Sequence, residues 1–158
     1  MSARSTEQIG ARWAAAGALA SLLVAQGRSE ASLGALPKHR AELEELAEEG
    51  VLQRTGEEVR FFHDRYLDYV FARTFVEGGE SLGELLRGSE QHLERRAQVR
   101  KILAFQREDD REGYERTVAE LLHDEEIRFH IKEVVFTLLR DEEEPDGALW
   151  EAIREFVE

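Results

Sequence analysis

The chain lacks cysteine and has few of the residues that interrupt helices. Its 158 residues include no Cys, one Met and two Pro. The absence of Cys excludes a disulfide framework and any zinc site built from thiolates, and it fits a reducing compartment.

Positive charge is also scarce. Against 34 acidic residues the chain carries 21 Lys and Arg, which gives a formal net charge of −13 at pH 7. An excess of this size repels phosphate backbones, so we expect weak sequence-independent affinity for DNA.

A long hydrophobic run is missing as well. The longest stretch of low charge, residues 13–27, is alanine-rich and contains Gly17 and Ser21. It is shorter than the roughly 20 apolar residues that a membrane-spanning helix needs. A signal peptide is disfavoured because the apolar stretch starts late and Glu7 precedes it. We therefore expect a buried helix, no membrane partner and a cytoplasmic protein.

Residues 51–76 hold the most informative pattern. Two short apolar runs, at 51–52 and 59–62, flank the polar residues 54–58, and Gly56 can take the positive φ of a tight reversal. These runs are rich in β-branched and aromatic residues, as strands are. We predict a hairpin over about 51–62, flanked by the only strands in the chain.

Helices are predicted on both sides of the hairpin. A helix over 37–49 ends at Gly50, a residue that suits the C′ position, and another helix runs from 10 to 26. Asp64 is placed to cap a helix over 64–77 by accepting a hydrogen bond from the amide of Tyr66 or Leu67. Helix, glycine, hairpin and helix in this order describe the back half of a winged helix.

The residues after the hairpin also carry a family resemblance. The string FFHDRYLDYVFARTFVEGG resembles the end of the winged-helix domain in bacterial STAND ATPases, the NACHT-like and NLR-like signalling NTPases. Those proteins show a pattern like F-x-H-x-x-x-x-x-Y-x-x-A, which Phe61, His63, Tyr69 and Ala72 match. The resemblance covers roughly residues 10–80 and, more loosely, the helices after them. It implies that His63 contacts the phosphates of ATP or ADP held by an upstream ATPase module.

From the residues alone, His63 has two interpretations. One is a structural histidine at a strand–helix junction, hydrogen-bonded to a neighbouring carbonyl or carboxylate. The other is a phosphate contact, since a histidine beside a helix N-terminus lies where anions are stabilised. The aromatic residues that follow it are predicted to be core rather than a ligand cage: Tyr66, Tyr69, Phe71 and Phe75.

The helix at 37–49 argues against DNA recognition. Winged helices usually bind DNA through a basic recognition helix, but here the segment begins PKHR and continues AELEELAEE, with five glutamates. Lys38, His39 and Arg40 can still touch one phosphate. DNA is therefore a disfavoured partner.

Beyond Gly78 and Gly79 the pattern becomes wholly helical, with apolar residues three and four apart. We predict a winged-helix domain over 1–79 and an α-helical, HEAT-like segment over 80–158, whose fourth helix Pro145 stops. Short loops between such helices are typical of antiparallel hairpins stacked as an α-solenoid. The fold class is therefore mainly α, a winged-helix module with one β-hairpin followed by a HEAT/armadillo-like array.

No pattern in the chain predicts catalysis or metal binding. There is no G-x-x-x-x-G-K-[ST] loop, no G-x-S-x-G and no H-E-x-x-H spacing. His123 and His130 lie near Asp124, Glu125 and Glu126, so a carboxylate–histidine metal site is one interpretation. The favoured one is that Asp124 caps a helix over 127–140 and separates the two histidines onto different helices. We expect no catalytic residue, no metal and no cofactor held by this chain alone.

Two hypotheses follow. The first is a non-catalytic regulatory segment of a STAND-type ATPase, which binds its own ATPase module or a protein partner. The second is a freestanding winged-helix DNA-binding regulator with a helical dimerisation tail. The missing phosphate-binding loop and the missing polar closing repeat favour a segment of a longer protein. We also expect a homodimer at high concentration, formed through the terminal helix or residues 13–24.

Overall fold

The computed structural model describes residues 3–142 and 147–157. Within them the chain is mainly helical with a small antiparallel sheet, as predicted, and its contacts form two compact units, Met1–Phe71 and Ala72–Glu158. The division into a winged-helix domain over 1–79 and a HEAT-like segment over 80–158 stays a prediction. The helices are α1 (Ala3–Gln26), α2 (Arg40–Glu48), α3 (Asp64–Glu77), α4 (Leu82–Arg87), α5 (Arg95–Asp109), α6 (Arg111–His123), α7 (Phe129–Arg140) and α8 (Gly147–Val157), and the strands are β1 (Ala31–Ser32), β2 (Leu52–Thr55) and β3 (Glu58–Phe61).

Helix α1 supplies one wall of the first unit's core. It starts seven residues before the predicted position 10, since the residues before Gly10 include no proline and form helix readily. Leu19 and Leu23 are fully or almost fully buried, and α1 packs against α2 and β1. Among the described residues one segment, Thr6–Gln26, has the length and apolar character to cross a membrane, a test that buried core helices also pass.

The predicted hairpin forms, but the sheet has a third strand. Strand β2 pairs with β3 in the register Leu52↔Phe61, and Gly56 has a φ of 64° at the first position of the two-residue turn. This is the position that a type II′ turn reserves for glycine. Strand β1 then pairs with the other edge of β3, so the expectation that the hairpin holds the only strands was wrong. Two residues are too few to show an alternating pattern.

Helix α2 begins later than predicted and ends where predicted. Short 3-10 helices at Leu33–Ala35 and Pro37–His39 precede it. At its end Gly50 has a φ of 80°, its amide donates to the Ala47 carbonyl and the Val51 amide donates to the Leu46 carbonyl. This pair of hydrogen bonds is the Schellman motif, which sends the chain directly into β2.

Helix α3 starts at Asp64, but the predicted cap is not the one that forms. The amides of Tyr66 and Leu67 both donate to the backbone carbonyl of His63, at 2.9 and 3.4 Å. Asp64 is already the first helical residue, so its carboxylate lies one position too late to act as the N-cap.

The second unit is a stack of helices in which neighbours alternate. Helix α5 packs against both α6 and α7, while α6 packs against α4 and α8. Each of α5 and α6 therefore contacts the helix two places further along the chain, which is the packing of a two-layer array. Its core is formed by residues such as Ile102, Leu103, Val118 and Ile131, all with no exposed side chain.

Two buried polar side chains join the helices of this stack. The amide of Gln91 donates to the Glu126 carbonyl at 2.9 Å and accepts from the Arg128 amide at 2.7 Å. The ammonium of Lys132 donates to the Leu122 carbonyl at 2.8 Å, at the C-terminal end of α6 where cations are favourable. Both side chains therefore satisfy backbone groups that the helix ends leave open.

His123 and His130 lie on different helices, as favoured above. His123 is the last residue of α6, and His130 is the second residue of α7. Asp124, however, does not cap α7. It follows α6, accepts a hydrogen bond from the Glu126 amide and pairs with Arg87, and both contacts lower its pKa. The predicted stop at Pro145 lies outside the described residues.

Candidate functional site

The first unit carries a groove with aromatic walls, which we call the aromatic groove. It has a volume of about 420 Å³ and runs between α1, the end of α2, the sheet and α3. Trp13 and Tyr69 form an edge-to-face pair in it with ring centroids 6.4 Å apart. Its walls are formed by Ile9, Arg12, Trp13, Ala16, Leu46, Val51, Phe61, Tyr66, Tyr69 and Val70.

Two aromatic residues predicted to be core lie in this groove instead. Tyr66 is 52% exposed and Tyr69 is 43% exposed, so the prediction of core was wrong for both. Phe71 and Phe75 are buried, as predicted. Residues 66 and 69 are three apart and share one face of α3, a face that the first unit leaves uncovered.

The groove and its edge hold most of the large apolar side chains that the described residues expose. Eight such side chains are exposed, and five of them belong to the first unit: Ile9, Val51, Phe62, Tyr66 and Tyr69. Scattered exposed apolar residues are ordinary on a protein surface, but a contiguous group is typical of an interaction site. Ile9 and Trp13 lie far in the sequence from Val51 and Tyr66, so no local motif indicates the groove.

His63 lies beside the groove at the junction between the sheet and α3. Its ring is edge-to-face with that of Phe62, at 4.6 Å between centroids, and 5.9 Å from that of Tyr66. The side chain is exposed and makes no hydrogen bond to any described residue. The structural interpretation of His63, which required such a hydrogen bond, therefore has no contact to support it.

The rim of the groove is charged and largely neutralised. Arg12 forms ion pairs with Glu45 at 2.9 Å and Glu49 at 2.8 Å. Hydrogen bonding to Glu45 raises the pKa of Arg12, so the guanidinium stays charged throughout the physiological range. An apolar floor with a paired, polar rim is the usual composition of a protein-binding surface.

The outer face of α2 and the hairpin form a separate ionic network. Arg40 and Arg54 each contact both Glu44 and Glu57. The hydrogen bond from Arg40 lowers the pKa of Glu57, which keeps this carboxylate ionised. Arg40 and Arg54, which α2 and the hairpin could offer to a phosphate, are thus already engaged by acids, while Arg60 of β3 donates to Gln53 at 2.8 Å.

The described residues contain no group of three or more His, Asp or Glu side chains arranged to hold a metal ion. His123 instead contacts the Ala119 carbonyl through Nδ1, at 2.8 Å. No family model, curated protein or solved structure matches this chain.

Proposed function

We propose that this chain is a non-catalytic regulatory and interaction segment that works with a STAND-type ATPase module in the cytoplasm. Its first unit acts as a winged helix that docks on the ATPase module, and its second unit acts as a helical array that binds a protein partner. The observation that carries the proposal is the open aromatic groove with the exposed His63 at its edge.

The order of elements in the first unit supports a winged helix. A long helix, a short strand, short helical turns, a second helix and a hairpin follow one another, and the sheet order is β1-β3-β2. A winged helix adds such a hairpin to a helix-turn-helix, and a short strand before the helices completes its sheet. Strand β1, absent from the prediction, is the part of this order that the sequence pattern did not reveal.

Charge favours a protein partner over DNA. Helix α2 occupies the position of a recognition helix but carries four glutamates and one arginine, and that arginine pairs with Glu44 and Glu57. A helix that enters the major groove needs free basic side chains for the phosphates on either side. The alternative of a freestanding DNA-binding regulator is therefore the weaker proposal.

The packing of the second unit supports a HEAT-like array. Gln91 contacts Arg128, and Arg96 contacts Glu133, both at an offset of 37 residues. Equal offsets mean that α5 and α7 run parallel, as equivalent helices of successive repeats do. The spacing is close to the repeat of about 40 residues in HEAT arrays.

The experiment for this proposal is co-purification with a P-loop ATPase module from the same reading frame or a neighbouring one. Wild-type chain should retain the module, and Tyr66→Ser with Tyr69→Ser should lose it, because both side chains are exposed walls of the groove. Leu93→Ser with Phe129→Ser is the control, since it removes two apolar groups of even greater exposure from the second unit. Equal retention by both double variants would contradict the proposal.

A DNA titration at low salt separates the two hypotheses. We expect no electrophoretic shift of duplex DNA at protein concentrations up to micromolar. A freestanding DNA-binding regulator would instead bind DNA at low salt and release it as the salt concentration rises. Dimerisation at high concentration stays a prediction that light scattering tests.

A further inference from the structure

Helix α5 is basic within an acidic protein. It carries five Lys and Arg residues against Glu108 and Asp109 at its end, while the chain as a whole has a net charge of −13. Arginines elsewhere in the second unit, such as Arg87 and Arg111, pair closely with acids. Arg100 and Lys101 of α5 are exposed and have no ion pair among the described residues. Acidic residues are abundant in this chain, but in the described part of it the fold does not pair them with Arg100 and Lys101. Folding alone therefore gives no reason for these two positive charges.

A cleft lies between α5 and α7, and Arg96 of α5 is one of its walls. The cleft has a volume of about 290 Å³ and is lined by Arg96, Glu133, Phe136, Thr137 and Arg140. Arg96 reaches Glu133 only at 3.9 Å, so its guanidinium is incompletely paired. Arg100 lies one turn beyond Arg96 on the same side of α5.

An apolar end completes this surface. Leu93 is 68% exposed just before α5, and Phe129 is 67% exposed at the first position of α7. Because α5 and α7 run parallel at an offset of 37 residues, both side chains lie at the same end of the helix pair. We call this surface, from Leu93 and Phe129 to Arg140, the α5–α7 face.

We propose that the α5–α7 face binds an acidic, amphipathic segment of a protein partner. Apolar side chains of that segment pack on Leu93 and Phe129, and its carboxylates pair with Arg96, Arg100 and Arg140. Guanidinium groups suit this role because their planar N–H forks donate to carboxylates in bidentate geometry. The proposal concerns the second unit alone and holds whether or not the first unit docks on an ATPase.

The surroundings of the face favour a polypeptide over a nucleic acid. Glu94, Glu108, Asp109, Glu133 and Asp141 all lie on or next to α5 and α7. A polynucleotide has a phosphate at every step and would bring several of them against these acids. A peptide with spaced carboxylates and apolar anchors can place charge only where the arginines are.

Fluorescence anisotropy at low ionic strength tests the proposal. The probe is a labelled helical peptide with leucines at i and i+4 and glutamates beside them. A peptide with glutamine for glutamate and a single-stranded oligo-U RNA of equal length are the comparison probes. Arg96→Glu with Arg100→Glu is the test variant. Arg116→Glu with Arg154→Glu is the control, since it changes the charge equally on exposed residues of α6 and α8.

The acidic peptide should bind the wild type and the control with affinities within about twofold of each other, and the test variant at least roughly tenfold more weakly. Leu93→Ser with Phe129→Ser should also weaken it. Three results would overturn the proposal: no binding of the acidic peptide, equal binding of the glutamine peptide, or tighter binding of the RNA. An equal loss in both charge variants would also overturn it, because the attraction would then not belong to this face.

Discussion

Individual buried polar side chains decide how the second unit responds to mutation and pH. Gln91 and Lys132 are 7% and 9% exposed, and their polar atoms bond to backbone groups. Tyr114 is fully buried, and its hydroxyl has no hydrogen-bond partner among the described residues.

Gln91→Ala should lower the free energy of unfolding by about 1–3 kcal/mol, because the Glu126 carbonyl and the Arg128 amide both lose their partner. Urea unfolding followed by circular dichroism measures the change. Gln98→Ala is the matched control, since Gln98 bonds only to the side chain of Arg95 and should change stability by less than about 0.5 kcal/mol. Equal losses in the two variants would contradict the bridging role of Gln91.

Tyr114 should make the fold sensitive to alkaline pH. Burial, followed by the nearby charge of Glu142, raises the pKa of Tyr114 to about 12. The neutral phenol is the form that the folded state favours. The stabilisation is therefore complete below the unfolded pKa of about 10 and is lost as the pH rises from there towards 12.

Near pH 11 the wild type should have lost about 1.4 kcal/mol through this group, by linkage between the two pKa values. Tyr114→Phe removes the titration, so its unfolding free energy relative to wild type should rise by that amount between about pH 8 and pH 11. At neutral pH the variant should be at least as stable as wild type, because a hydroxyl buried without a partner among the described residues is unfavourable. A difference that does not change with pH would contradict the raised pKa.

Among the helices and strands, the hairpin depends on the glycine in its turn. Gly56→Ala forces a side chain into a φ of 64° and should cost about 1–2 kcal/mol in unfolding free energy. Gly10→Ala is the control, because Gly10 lies inside α1 with open space around it. This substitution should stabilise the protein by up to about 1 kcal/mol. Thermal unfolding of both variants measures these two changes in stability, which should have opposite signs. Stabilisation by Gly56→Ala would contradict the turn assignment.

The sequence predicts most of these elements because their local signals are strong. Gly50 stops a helix where expected, and the apolar spacing of α5, α6 and α7 follows the helical period. Strand β1 is missed because its partner, Val59, lies 28 positions away from Ala31 in the register. Pairing over such a distance leaves no local pattern in two residues.

The site is less predictable than the fold, for a physical reason. The sequence indicates that His63 follows a hairpin, and the structure has it there, exposed beside Tyr66. It cannot indicate which face of α3 stays uncovered, so Tyr66 and Tyr69 were assigned to the core. The groove is formed by residues from four separate elements, and only their packing brings them together.

The molecule as a whole combines strong negative charge with localised surfaces of other character. Its net charge of −13 is expected to repel phosphate polymers such as DNA, while the aromatic groove and the basic α5 are confined to single units. A protein with a large negative charge and a few localised apolar or basic surfaces is better suited to selected protein partners than to nucleic acid. We propose that the first unit docks on an ATPase module and that His63 contacts the nucleotide bound there.

The release of a fluorescent ADP analogue from that ATPase module tests this claim most directly. Wild-type chain should lower the rate of ADP-analogue release, and His63→Ala should raise that rate again by roughly tenfold to hundredfold. This factor corresponds to the loss of one hydrogen bond to a charged group. Arg116→Ala, an exposed change in the second unit, should leave the slow release unchanged. Release that does not depend on His63, or a His63→Ala variant that unfolds the isolated chain, would contradict the account.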